Sequence, residues 1–439
     1  MNKLTPEALK WNQNLLLFYF LYTTLQGAVR KWLLMGVSGV GDIMFMGQLL
    51  LPFAVVFLMK REKTILSCQP LIPYALLLVA MALNPLNQSI FHGIFGFCLH
   101  FGFWLMMFIY LNERDAFPLE NLAKIFMIAC AAEAILAFAQ FGLPTTHLLN
   151  RYENAGQDEI AGFANDGGVR VIATFSYISG FGSFLFFAGL FIWALMVEKK
   201  RPIPLILAVA GLGLVSSFMN GSRAVVLPYV VCLVFGFLSY GAIVQKIKSM
   251  AVIGGLLALA VVFNLGNKLA FVEKSFTSIA QRFTSGQATG EAASRTDGIF
   301  AETFGFSGKN PWFGLGLGAT YQGATNKWGK SQELREYGYY EEDPERVILE
   351  GGYVLLIVRI SLFVLMAFRM KIPLFFSVPI LVYMFFFTIF VFNAYQIAYV
   401  FFGLALLDKF YYLKQTEAEK TKNIPIARQQ YTIQQLENQ

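Results

Sequence analysis

Apolar residues run through this chain in long blocks, and polar residues fall mostly in the gaps between them. A helix that spans a bilayer needs about 20 apolar residues. Twelve blocks meet or approach that length: Trp11–Val29, Gly39–Met59, Pro70–Leu83, Gly93–Leu111, Leu122–Gly142, Val171–Val197, Pro202–Met219, Ala224–Tyr240, Met250–Leu265, Gly351–Phe368, Pro373–Phe390 and Ala394–Leu407. The third and last are short, and the last two read as a helical hairpin broken at Asn393. The pattern predicts an all-α polytopic membrane protein with about 12 transmembrane helices. Composition agrees: 56% of residues are hydrophobic and only 14% charged, where a soluble domain carries roughly 25% charged residues.

The basic residues then orient the blocks. Clusters stand at Lys60-Arg61-Glu62-Lys63, Lys199-Lys200-Arg201, Lys246-Ile247-Lys248 and Arg369-Met370-Lys371, after every second block, with Asn112-Glu113-Arg114-Asp115 filling the same slot once more. Lysine and arginine accumulate in cytoplasmic loops. With Lys3 and Lys10 inside, the expected topology has both termini cytoplasmic and two long outer gaps, about 143–170 and 266–350. The membrane region covers residues 1–413. A polar tail, 414–439, has few large apolar residues and is expected to be disordered. In the second outer gap, Leu269, Val272, Phe276, Ile279 and Phe283 share one face of an amphipathic helix. The first block lacks a small-residue cleavage site and is expected to remain as an anchor.

This topology narrows the chemistry. The net charge of +7 sits largely in short inner loops, which argues against nucleic acid. Cys68, Cys98, Cys130 and Cys232 are scattered, and His92, His100 and His147 lack ligand spacing, so no metal or cofactor is expected. Arginines at the outer side run against the inside bias: Arg30, Arg151, Arg170, Arg223, Arg282, Arg295, Arg335 and Arg346, with Arg359 inside the tenth block. Charge near the bilayer is costly unless paired or functional, and guanidinium suits bidentate phosphate binding. One reading is a basic outer cavity for an anionic lipid headgroup such as a pyrophosphate. The other is arginines that cap helix ends or pair with carboxylates. Arg223 favours the first, because its hairpin, Asn220-Gly221-Ser222-Arg223, is so short.

Carboxylates accompany the arginines: Asp158, Glu159 and Asp166 in the first gap, and Glu341-Glu342-Asp343 and Glu350 in the second. The run 341–343 reads as a solvated loop. Glu350 lies at the mouth of the tenth block, four residues after Arg346. It is either that arginine's ion-pair partner or a base that takes a hydroxyl proton. The string Asn310-Pro311-Trp312-Phe313-Gly314-Leu315-Gly316-Leu317-Gly318 reads as a tight structural turn rather than a dinucleotide fingerprint.

Four passages, in order, resemble the O-antigen polymerase/ligase superfamily of Wzy-type polysaccharide polymerases and WaaL-type ligases. They are Gly27-Ala28-Val29-Arg30-Lys31-Trp32, Gly168-Val169-Arg170-Val171-Ile172-Ala173-Thr174-Phe175, Gly221-Ser222-Arg223-Ala224, and Asn310 to Gly318 with Arg295 upstream. The resemblance spans roughly residues 15–410. It implies a GT-C-like, metal-independent glycosyltransferase of the bacterial inner membrane with its site facing the periplasm. Its substrate would be oligosaccharide on undecaprenyl pyrophosphate, and a chain-length regulator and a flippase would be its partners. Carried over, Arg223 and Arg295 would contact the donor pyrophosphate, joined by Arg170. Arg151, followed by Gly162, fits a further pattern of some polymerases, and Glu350 would be the base. Ligases of the superfamily carry a histidine in the large outer loop, and here no histidine follows His147. That favours a polymerase over a ligase. A transporter or flippase of lipid-linked glycan is the alternative from another class; it would favour an inverted repeat, which is not seen, and broken or charged helices.

Overall fold

The computed structural model describes residues 4–34, 39–64, 68–152, 169–240, 310–321, 328–330, 335, 343–388 and 393–422. Among them every regular element is a helix. In chain order these are α1 (Pro6–Ala28), α2 (Val40–Leu58), α3 (Leu71–Ala82), α4 (Ile90–Asn112), α5 (Ala123–Phe141), α6 (Ile178–Glu198), α7 (Ile203–Asn220), α8 (Arg223–Ser239), α9 (Asp343–Arg369), α10 (Leu374–Phe387) and α11 (Ala394–Lys422). Six of the described helices are long and apolar enough to cross a membrane. The ninth predicted block and the amphipathic stretch 269–283 lie outside the described residues.

Local chemistry sets several boundaries. Thr5 caps α1 by accepting from the Ala8 N–H at 3.2 Å, and Pro6 takes the first helical position, where a missing N–H costs nothing. Ser89 caps α4 in the same way, through His92. At the centre, α6 is buried along its length and packs against α11, α8 and α7. Phe20 of α1 meets Phe126 of α5 at 4.5 Å and both Phe187 of α6 and Phe402 of α11 at 5.4 Å, tying four helices through one aromatic cluster. On one side of this core α4 packs between α2 and α3; on another, α5 packs on α7.

Hydrogen bonds gather helix ends at one end of the bundle. Asn12 donates to the Lys60 carbonyl at 2.9 Å and to the Ala116 carbonyl at 2.8 Å. Arg114 pairs with Asp408 at 2.7 Å and donates to the Arg369 carbonyl at 2.6 Å. Ser239 Oγ lies 2.8 Å from the Tyr411 hydroxyl. The start of α1, the ends of α2, α4, α8 and α9 and the middle of α11 therefore share what we call the basic end.

Three elements differ from the sequence expectation. The sixth helix starts at Ile178, and Val171–Tyr177 is non-helical. The tenth starts at Asp343 but breaks at Gly352 (φ 64°, ψ −171°). Its two arms fold back on each other: Asp343 and Arg359, about 24 Å apart along an unbroken helix, are joined at 2.6 Å. Asp343 is thus a buried ion-pair partner and not part of a solvated loop. The last helix continues through Lys422, so the first nine residues of the expected disordered tail are helical. Residues 414–422 are rich in good helix formers, and extending an anchored helix needs no new nucleus.

Candidate functional site

The end opposite the basic end holds two buried polar clusters, and three of the four resemblance passages meet in the first. Its core is the non-helical stretch before α6. Irregular backbone survives inside an apolar bundle only if its polar groups find partners, and here side chains supply them. Gln140 of α5 accepts from the Ile172 and Ala173 N–H groups, at 3.3 and 2.7 Å, and donates to the Ala173 carbonyl at 2.9 Å. Glu133, two turns earlier on the same face of α5, accepts from the Thr174 N–H at 3.0 Å and its hydroxyl at 2.6 Å. Lys31, in the π-helical turn Val29–Leu33 that ends α1, donates to the Ala173 carbonyl and, at 2.9 Å, to the Phe175 carbonyl. Ala173 sits at φ 47°, a left-handed conformation that costs roughly 1–3 kcal/mol outside glycine and persists because these bonds over-determine it. Gly27 lets α1 approach: a Cβ there would lie 2.7 Å from both the Ser176 nitrogen and the Thr174 carbonyl oxygen.

Arg170 leads into this stretch. Its Nε donates to the Asn220 carbonyl at 3.3 Å, its side chain lies over Gly221, and its own carbonyl accepts from the Tyr152 hydroxyl at 2.8 Å. Burial lowers the guanidinium's proton affinity, while the Tyr152 and Tyr177 phenols raise it. Asn220 closes the turn by donating to the Val171 and Ile178 carbonyls. Arg170, Tyr177, Ser179, Asn220, Ser222 and Gln396 line a cavity of about 230 Å³ whose apolar wall includes Phe186, Val225 and Tyr383. Arg223 is the first residue of α8, directly after the lining residue Ser222.

The second cluster is built on Glu350, which is fully buried. Its carboxylate accepts from the Gly318 N–H at 2.7 Å, the Thr320 N–H at 3.0 Å and the Thr320 hydroxyl at 2.5 Å, and lies 2.9 Å from His100 Nε2. The glycine string is therefore a turn wrapped around this carboxylate. Gly314 adopts φ 65° against the Glu350 backbone, where any side chain would collide. The Leu315 and Gly316 N–H groups pair with the Leu349 and Glu350 carbonyls at 2.9 and 3.0 Å. Arg346 points to the same turn and donates to the Thr320 carbonyl at 3.1 Å. Glu350, read from sequence as either Arg346's ion-pair partner or a base, is held by His100 and the same turn.

Of the residues read from sequence, Arg170 and the Arg223 backbone come together at the cavity, while Glu350 and Arg346 sit in the second cluster. Arg151 ends a short helical turn, beside Asn150, which bonds three nearby carbonyls. Arg295, Arg282, Asp158, Glu159, Gly162, Asp166, Glu341 and Glu342 lie outside the described residues. Sequence reasoning gave no place in the site to Lys31, Glu133, Gln140 or His100. The signal for Glu133 and Gln140 was a charged or amide group inside an apolar block; Lys31 stood only in the first resemblance passage, and His100 gave no signal. No family model, curated protein or solved structure matches the chain.

Proposed function

We propose that the chain is a polysaccharide polymerase of the bacterial inner membrane. In this reading the basic end is cytoplasmic, and about twelve helices place both termini there. The enzyme transfers a growing glycan from undecaprenyl pyrophosphate onto the nonreducing end of another lipid-linked repeat unit at the outer face. The observation that carries the reading is the packing of the first three resemblance passages. They are separated by up to about 190 residues in sequence, yet Gly27, Lys31, Ala173–Phe175, Arg170 and Gly221 form one block beside a cavity that has both polar and apolar walls. A pyrophosphate on an isoprenoid chain needs such a pair of walls.

Chemically, Arg170 and Arg223, with Arg295 and Arg151 from the outer loops, neutralise the charge that develops on the leaving pyrophosphate, the electrostatic term usually largest in catalysis. Pyrophosphate leaves readily, so the reaction needs neither a covalent intermediate nor a metal. Glu350 can take the acceptor proton only when the Gly318–Thr320 turn releases it.

The test is polymerisation by the purified protein in nanodiscs, with a lipid-pyrophosphate-linked repeat unit and a gel readout. Wild type is expected to give a ladder, and Arg223→Ala to lose it by about two to three orders of magnitude, as when one charge-stabilising donor is removed. A single addition to a lipid acceptor, with no ladder, would make the protein a ligase. A second reading, a transporter of lipid-linked glycan, draws on the broken α9 with its buried Asp343–Arg359 pair. Movement of labelled lipid across proteoliposomes without any ladder would replace the enzyme reading with that one.

A further inference from the structure

The cavity's position depends on a stretch of backbone that should not be stable inside a helical bundle. Val171–Tyr177 runs non-helically among buried residues. Two buried side chains of opposite charge type hold it. Lys31 is 2% exposed and Glu133 3% exposed, so neither is solvated by water. They come from different helices, α1 and α5, and grip adjacent residues: Lys31 the carbonyls of Ala173 and Phe175, Glu133 the N–H and hydroxyl of Thr174. The Thr174 hydroxyl, whose one proton goes to Glu133, also lies 2.8 Å from the Thr24 carbonyl oxygen, so Thr174 is seated between α1 and α5.

We propose that Lys31 and Glu133 form a charge-compensated clamp, and that they are positioning residues for Arg170. A lone buried charge is costly, and removing one partner of a compensated pair leaves the other stranded. A clamp of neutral hydrogen bonds could hold the same backbone; two opposite charges hold it only as a pair. The chain leaves the clamp at Val171, whose N–H is fixed to the Met219 carbonyl at 3.2 Å, and Arg170 is the residue before it. Loosening Ala173–Phe175 therefore frees Arg170 from Asn220 and moves it out of the cavity wall. The clamp itself is independent of what the cavity binds; its role toward Arg170 rests on the pyrophosphate reading.

The test compares Lys31→Met, Glu133→Gln and the double variant in nanodiscs, with two readouts. The first is the rate at which a thiol reagent modifies Ser176→Cys, a position 7% exposed and just past the clamp. Each single variant is expected to speed modification about tenfold, the scale of losing a charge-assisted hydrogen bond, and the double variant less than either single. Native Cys68, buried near the basic end, should stay unreactive in all of them, showing that the bundle remains folded. The second readout is binding of farnesyl pyrophosphate against farnesol. Single variants should weaken pyrophosphate binding, and Arg170→Ala added to either should weaken it no further. A protected Ser176→Cys in both single variants, or a double variant that loosens as the sum of the two, overturns the clamp. Losses that add to that of Arg170→Ala overturn its positioning role. Loosening as expected in a protein whose wild type binds farnesyl pyrophosphate no better than farnesol leaves the clamp standing and overturns the pyrophosphate reading instead.

Discussion

At the scale of single residues, Glu350 is singled out by the sequence, but its neighbours are supplied only by the structure. Its place near the start of an apolar block, four residues from an arginine, was legible. The partner was not, because helical spacing names only neighbours on the same helix, and this contact comes from another. His100, 250 positions away, supplies the contact. The geometry separates two roles for the carboxylate. As an anchor for the Gly318–Thr320 turn, it should be needed for folding. Glu350→Ala should then cost about 3–5 kcal/mol, the range for stranding a partner of a buried pair, seen as a lower melting temperature in detergent. Glu350→Gln and His100→Ala should also melt below wild type, and combining them should add little. A Glu350→Gln protein that melts like wild type but has lost turnover would return the residue to the role of base.

At the scale of elements, the helices were legible wherever apolar blocks were uninterrupted; the observed ends of α2, α4, α7 and α8 fall within three residues of the expected ones. The failures share one cause. Val171–Tyr177 is as apolar as a helix, and nothing within it announces that Gln140, Glu133 and Lys31 satisfy its backbone from other elements. Hydropathy records what the lipid or core accepts, not which group pairs with which carbonyl. The fold-back of α9 likewise depends on one glycine among 38. Gly352 occupies a region of backbone space open essentially to glycine alone, and a Cβ there would collide with the Trp312 carbonyl carbon. Gly352→Ala is therefore expected to cost more than the roughly 1–3 kcal/mol of backbone strain by itself. Gly211→Ala, inside α7 with nothing within 4 Å of its Cβ, should be neutral or stabilise by up to about 1 kcal/mol. Thermal melts of the two variants check this. Equal melting temperatures would mean that the hairpin at Gly352 is not a required feature of the folded state.

At the scale of the whole molecule, the alternation of basic clusters was the most legible signal, because it is a sum over many loops and survives an error at any one boundary. The segments that carry Lys60, Arg114, Arg369 and Lys409 meet through shared hydrogen bonds, as a common side requires. What charge cannot supply is the arrangement within the opposite end, where the site is assembled from pairings between α1, α4, α5 and α9. The two ends make a direct prediction about sidedness. Gln88, exposed in the α3–α4 turn, stands at the site end, and Glu419, exposed near the end of α11, continues from the basic end. The four native thiols are buried and should stay silent. On intact cells, a membrane-impermeant maleimide should label Gln88→Cys, and should label Glu419→Cys only after permeabilisation. Labelling of both from outside would put the end of α11 on the same side as the start of α4, against the charge pattern. The reverse pattern would put the cavity in the cytoplasm, where a glycan already carried across the membrane is out of reach, and the polymerase reading would fall with it.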